Sequence, residues 1–195
     1  TRTFFRATVF NKPLDSWDVS SAVNMSDMFR DADTFNQPLN SWDVSSVNNM
    51  QSMFASANSF DQNIGAWRMD SIFRTNGMFS SGSPFNNGGS DSIKDWNVSS
   101  LVVMQGMFSF TTAFNQPLTN WDTSNVTNMR EVFRMSVFDQ PLNTWDTSKA
   151  TTMFGMFTGA IFNQDLDQWN TQNVQQTRNM FKDNRVFNGD ISTWN

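Results

Sequence analysis

The chain has 195 residues and a net charge of −5, with 20 Phe, 13 Met and 8 Trp but no Cys and no His. These absences exclude disulfides, thiolate nucleophiles, imidazole bases and the usual zinc sites and hydrolase triads, while carboxylate catalysis remains open in principle. The acidic charge and scattered Lys and Arg argue against nucleic acid as a partner, and no apolar run is long enough to span a bilayer. We therefore expect no enzyme and no membrane span in this segment.

A tandem repeat organises the chain. All eight Trp fall into one register, with successive spacings of 25, 25, 29, 25, 24, 24 and 25 residues. A fixed period of this length is typical of stacked repeat proteins, so each repeat is numbered here from its Trp as position 0. The eight positions are Trp17, Trp42, Trp67, Trp96, Trp121, Trp145, Trp169 and Trp194.

Each repeat predicts a short strand followed by a short helix. Trp and the residue two positions later share one strand face, because side chains alternate along a strand. Apolar residues at positions +5, +8, +11 and +12 have the spacing of a helix that buries one stripe, and a residue such as Ser20 precedes it as a cap. We expect residues 1–195 to form one solenoid domain of about eight repeats, with the Trp and Phe columns stacked inside.

Two further features have architectural interpretations. Asn and Gln recur in the return loops, as in Asn36 and Gln37, and their amides are expected to satisfy backbone groups that no strand pairs with. The junction between the third and fourth Trp carries four extra residues. Asp91 and Asp95 in this junction form either a cation site or, in the interpretation we favour, part of an ordinary loop insertion.

The repeat resembles two known patterns. The run Leu14-x-x-Trp17-x-Val19-x-x-Ala22 is similar to the core of a leucine-rich repeat. The longer motif, which begins Phe-Asn-Gln-Pro-Leu-x-x-Trp-Asp-Val-Ser, more closely resembles the bacterial surface protein 26-residue repeat of BspA-like proteins and mycoplasma-type surface lipoproteins. This resemblance implies a leucine-rich-repeat-like, right-handed α/β solenoid with one short strand and one short helix per 24–25-residue repeat.

The residue that follows each Trp is the candidate binding site. In leucine-rich-repeat geometry this position faces away from the core. A mostly acidic stripe there suits sugar hydroxyls or calcium, and no other cofactor is expected. The alternative is structural, with each Asp bonding its own turn or capping the helix that follows. The polar column, as we call it, consists of Asp18, Asp43, Arg68, Asn97, Asp122, Asp146 and Asn170.

The resemblance also implies a function and a location. It predicts a non-enzymatic, extracellular or cell-surface module that acts in adhesion by binding a protein or a glycan. The alternative is a structural building block of a filament, sheath, envelope layer or other large assembly. Since the sequence begins and stops inside a repeat, we expect further repeats or partner chains at its two open ends.

Overall fold

A computed structural model describes residues 2–194; of the predicted domain, Thr1 and Asn195 lie outside this range. Successive repeats stack so that equivalent positions lie side by side, and parallel backbone bridges join the residues at position +7 of neighbouring repeats. The bridges are Asn24–Asn49, Asn49–Arg74, Arg74–Val103, Val103–Asn128, Asn128–Thr152 and Thr152–Gln176. Each repeat is thus one layer of a stack. The leucine-rich-repeat-like class and the right-handedness of this stack stay predictions.

The short helix expected in every repeat is not formed, and that part of the prediction is wrong. Within residues 2–194 the only helices are two short 3-10 helices, Asn87–Gly89 and Asp91–Asp95. In the first repeat, Asp27 and Asp31 at positions +10 and +14 have φ angles of 54° and 57°. An α-helix contains no such left-handed residues. The strand expected at Trp is not formed either. The backbone bridges between repeats lie at position +7 instead.

The backbone donors of this segment point to the next repeat instead of along a helix. Met25 N–H donates to the carbonyl oxygen of Asn49 at 2.8 Å, and Phe29 N–H donates to that of Met53 at 2.8 Å. Tight turns connect these donors, as where Met28 N–H donates to Met25 O at 3.3 Å. The apolar residues at +8, +11 and +12 are buried as the spacing indicated, but turns and an inter-repeat ladder bury them.

Two columns of Phe form the centre of the core. In one column, at position +12, the ring centroids of Phe54 and Phe79 are 5.8 Å apart. In the other, Phe60 and Phe85 are 6.1 Å apart. Within a repeat the two columns touch, with the Phe54 and Phe60 centroids separated by 4.0 Å. Each ring therefore stacks on neighbours above, below and beside it, which ties the repeats into one hydrophobic unit.

A column of Trp lies beside the Phe columns. The six from Trp42 to Trp169 are buried, whereas Trp17 is 44% exposed and Trp194 is partly buried. Trp121 is interior and stacks on Trp96 and Trp145 at 6.1 and 6.2 Å, which confirms the prediction for that residue. Each Trp from the second onward also donates its indole Nε1–H to a carbonyl of the preceding repeat, a bond that the sequence did not reveal.

The predicted amide ladder is confirmed in the return loops. Asn36 Oδ1 accepts the N–H of Asp61 at 3.0 Å and the Nε2–H of Gln62 at 2.9 Å. Asp61 Oδ1 in turn accepts the N–H of Asn86 at 2.6 Å. The same arrangement joins the neighbouring return loops, through the side chains of Asn11, Asn86, Asn115, Asp139 and Asn163. One side-chain oxygen per loop therefore satisfies backbone donors that no strand partner reaches.

The four-residue insertion forms the two 3-10 helices and is organised around Asn87, a polar residue with no exposed surface. Its Oδ1 accepts the N–H of Ile64 at 2.9 Å, and its Nδ2–H donates to Ser90 O at 2.7 Å. Asp91 pairs with Lys94, and Asp95 accepts a hydrogen bond from the next repeat, so the two carboxylates have separate partners. The geometry agrees with a loop insertion.

Candidate functional site

The polar column lies on the surface, where each of its members follows an inward-facing Trp. All seven side chains are exposed, while Val, Met or Thr residues at position +2 are buried. The backbone repeats the same tight turn at each level, because the N–H of the residue at position +5 donates to the carbonyl at +2, as from Ala22 to Val19 at 2.8 Å. The column thus presents different side chains on one repeated backbone.

The Asp side chains of the column bond their own turns, as the structural alternative predicted. Asp18 Oδ1 accepts both the N–H and the hydroxyl of Ser20, at 3.0 and 2.6 Å. Asp43 Oδ1 accepts the N–H of Ser45 at 3.0 Å in the same way. The bonds of Asp122 and Asp146 match these at 3.0 and 2.8 Å. The carboxylate therefore closes a turn two residues long, a role available to any short polar acceptor.

The two Asn members of the column make the same turn bond, and Arg68 is the exception. Asn97 Oδ1 accepts the N–H of Ser99 at 3.2 Å, and Asn170 Oδ1 accepts that of Gln172 at 3.1 Å. Arg68 has no acceptor and instead pairs through Nε with Asp70 Oδ2 at 3.1 Å. The turn at Arg68 forms without a side-chain acceptor, so the column position tolerates a change of charge.

The turn bonds lower the pKa of Asp18 and of Asp43. The hydroxyl and then the N–H of Ser20 lower the pKa of Asp18, and the nearby charge of Asp43 opposes them more weakly. Ser45 lowers the pKa of Asp43 in the same way, with a smaller contribution from the Arg68 cation. The turns hold negative charges at fixed heights along the stack despite the repulsion between neighbours.

No group of three or more acidic side chains converges on one point within the described part of the chain, residues 2–194. Calcium usually takes six to eight oxygen ligands, of which one column position supplies a single carboxylate. Calcium binding along the column stays a prediction. No helix of residues 2–194 has the length and apolar character required to cross a membrane.

The pH dependence of stability tests the turn bonds. The pKa of Asp43 and of Asp122 is lowered in the folded state below the ordinary value of 3.8, first by the hydroxyl of the Ser two residues on. Their contribution is present above the unfolded pKa and is lost as pH falls through the folded pKa. We expect the melting temperature to fall between about pH 5 and pH 2, and the double variant Asp43→Asn, Asp122→Asn to show a smaller fall.

The control for this experiment is the same variant at neutral pH. Because Asn97 and Asn170 accept the equivalent bond, Asn should preserve both turns and leave the melting temperature there close to that of the parent. Parallel pH curves for parent and variant would contradict the assigned role of these carboxylates.

A second surface, which the sequence analysis did not predict, is made by positions +9, +10, +13 and +14. Here a shallow groove with a volume of about 410 Å³ runs across the second to fifth repeats. Small or amide side chains line most of it, and the ring of Phe110 stands at one end. The signal available beforehand was the run of Ser and Gly at +10, +13 and +14, which the helix interpretation treated as ordinary surface.

Comparison with known proteins gives a family. The family model described as "Mycoplasma protein of unknown function, DUF285" matches residues 1–92, 89–160 and 119–195, which together cover the whole chain. Tandem copies of the unit define this class of repeat protein. The chain belongs to that family. No curated protein and no solved structure matches it.

Proposed function

We propose that this chain is a non-enzymatic module of an extracellular or cell-surface protein and that it acts in adhesion by binding a protein or glycan. The single observation that carries this proposal is the polar column. Its turns share one geometry while the exposed side chain changes from Asp to Arg to Asn along the stack. A constant backbone with variable exposed side chains is the arrangement by which repeat proteins build extended binding surfaces.

The resemblance to surface proteins supports the proposed location. The repeat motif is similar to that of bacterial surface proteins and mycoplasma-type surface lipoproteins, and the chain belongs to a family described from Mycoplasma. The chain also lacks the Cys and His residues on which most enzyme sites depend. These features together favour recognition at a cell surface over catalysis.

A cell-binding assay tests the proposal. The fluorescently labelled chain is added to cultured epithelial cells, and bound label is measured at increasing concentrations. The test variant carries Asn in place of Asp18, Asp43, Asp122 and Asp146, which removes four negative charges while preserving the turn bonds. We expect saturable binding by the parent and a loss of at least about tenfold in affinity for the variant.

The matched control changes four Asp residues outside the column to Asn. Suitable positions are Asp15, Asp33, Asp165 and Asp183; at Asp33 and Asp165, which accept hydrogen bonds, Asn also supplies an acceptor. This control has the same net charge as the test variant and should bind as the parent does. Equal binding by all three proteins, or no saturable binding by the parent, would refute adhesion through the column.

The alternative function, a building block of a filament, sheath or envelope layer, is favoured by the polarity of the backbone ladder. The repeats all stack in one orientation and bond their neighbours in both directions, as from Met25 N–H to Asn49 O and from Asn48 N–H to Val23 O, so the two faces of a repeat differ. Such a polar ladder suits head-to-tail addition of further copies. Filaments seen by electron microscopy of the purified chain would favour this alternative, and a monomer by light scattering would favour adhesion.

A further inference from the structure

The groove across positions +9 to +14 is the strongest candidate for an additional site. Gly77 and Gly106 lie at position +10, and Ser80 and Ser109 at position +13, so its floor has almost no side-chain volume. Left-handed backbone alone does not require Gly at +10, because Asp27 adopts the same conformation there with φ of 54°. The small residues therefore leave space above the backbone that larger side chains would fill.

Paired charges border this groove at both ends. At one end Asp27 pairs with Arg2 at 3.1 Å and with Arg30 at 3.4 Å. At the other end Glu131 pairs with Arg130 at 3.6 Å and with Arg134 at 3.3 Å. Glu131 is the one ionisable residue that lines the groove, and two guanidinium groups, which do not themselves line it, already pair with its carboxylate. No cationic side chain lines the groove between the two clusters.

Phe110 forms an apolar wall at a cost in conformational energy. It occupies position +14 with φ of 60°, and its side chain is 41% exposed. Left-handed backbone is unfavourable for an L-residue, and Phe110 offsets little of this by burial. The guanidinium of Arg134 lies 5.3 Å from the ring centroid and fixes one side of it. An aromatic ring held rigidly at the edge of a polar groove is a stacking surface.

A hydrogen-bond acceptor without a partner in the groove indicates which groups a ligand would carry. Asn76 lines the groove, and its Oδ1 is buried without a hydrogen-bond partner. Such an acceptor is unsatisfied unless a donor from outside the chain bonds it, and because this oxygen is shielded from solvent, a ligand in the groove would reach it by a turn of the Asn76 side chain. Ser80 donates its hydroxyl to Gly77 O at 3.0 Å and lies 3.4 Å from the hydroxyl of Ser81, so one lone pair remains to accept from a ligand. The groove therefore offers acceptors to a ligand rich in hydroxyl donors.

We infer that this groove binds a neutral oligosaccharide, with a sugar ring against Phe110 and hydroxyl groups on Asn76 and the serines. An anionic ligand would find no cationic side chain among the lining residues, and a cationic ligand would find only the paired carboxylate of Glu131. An apolar peptide side chain would find a polar floor. A sugar matches both the aromatic ring and the polar floor, since it has an apolar C–H face and polar edges. This inference rests on the proposed binding function but uses residues that are separate from the polar column.

A glycan array tests the inference, with neutral, sialylated and sulfated glycans printed on one surface as probes. The strongest neutral glycan is then titrated by calorimetry against the parent and the variant Phe110→Ala. We expect the parent to bind neutral glycans and the variant to bind about tenfold more weakly or less. Phe73→Ala is the matched control, because Phe73 is also 41% exposed and lies 5.4 Å from the guanidinium of Arg74, yet it does not line the groove.

A second variant tests the floor without removing the aromatic ring. Asn179 occupies position +10 with φ of 62°, so Gly106→Asn should fold while filling the groove, and it should weaken glycan binding as much as Phe110→Ala. The column variant with four Asn should keep glycan binding, which separates failure of this inference from failure of the adhesion proposal. Binding to acidic glycans only, no binding to any neutral glycan, or unchanged affinity in Phe110→Ala would overturn it.

Discussion

Replacing Trp121 with Ala should destabilise the chain by about 3–5 kcal/mol, the range for large buried aromatics. Trp121 is 2% exposed and stacks on Trp96 and Trp145. The change opens a cavity between two Trp rings and also removes the bond from Nε1–H to Ile93 O at 2.8 Å. For a chain of this length we expect the melting temperature to fall by about 10 °C, measured by circular dichroism.

Two comparisons separate the contributions of packing and hydrogen bonding. Trp121→Phe keeps an aromatic ring and removes only the indole bond, since Ile93 O still accepts the N–H of Trp96 at 3.2 Å, so the lost bond should cost about 0.5–1.5 kcal/mol. Trp17→Ala removes a Trp that is 44% exposed, so it should cost about half as much as Trp121→Ala. If Trp121→Ala melts within about a degree of the parent, or no lower than Trp17→Ala, the Trp column does not stabilise the stack as described here.

The sequence predicted the register of the stack well because large side chains recur at constant intervals. Trp121 and Phe133, twelve residues apart, are both buried and both stack on their equivalents in the neighbouring repeats. The same regularity located the amide ladder of Asn36 and its equivalents. Any fold that superimposes equivalent positions satisfies this pattern, so the period predicted the columns without specifying the backbone between them.

The backbone between the columns escaped prediction for a related reason. A helix buries positions three and four apart, but turns with left-handed residues at +10 and +14 bury the same positions. Asp27, Ser52 and Gly77 at +10 are residues that tolerate positive φ and were an available signal. Glu131 and Phe110 adopt the same conformation without that tolerance, which shows that stacking on neighbouring repeats imposes it. Local propensity was therefore a weaker guide than tertiary context.

The polar column shows the same limit for function. The spacing placed Asp18 and Asp43 on an exposed column correctly. Their bonds to Ser20 and Ser45 are as the structural alternative predicted, but such a bond leaves the side chain accessible to a partner. The groove at Phe110 was missed because the small residues that recur at +10, +13 and +14 are equally compatible with the exposed face of a helix.

Asn87→Leu should have the second largest effect on stability, about 3–4 kcal/mol. Asn87 is fully buried and has φ of 55°, a conformation that Asn adopts more readily than Leu. Leu would leave the N–H of Ile64 and the carbonyl of Ser90 without their partners, in a site that water does not reach. Chemical denaturation with guanidinium chloride would measure the loss from the shift in midpoint.

Three further variants show which property of Asn87 carries this effect. Asn87→Gly accepts the positive φ but loses the amide bonds, so its free energy of unfolding should be about 1–3 kcal/mol below that of the parent. Asn87→Asp keeps the acceptor for Ile64 N–H but brings a buried carboxylate oxygen against Ser90 O, so at neutral pH it should lose at least as much stability as Asn87→Gly. Asn58→Leu, at an exposed Asn with one side-chain bond to Asp33, should change stability by no more than about 0.5 kcal/mol. A Gly variant as stable as the parent would mean that the backbone conformation, and not the buried amide, holds the insertion in place.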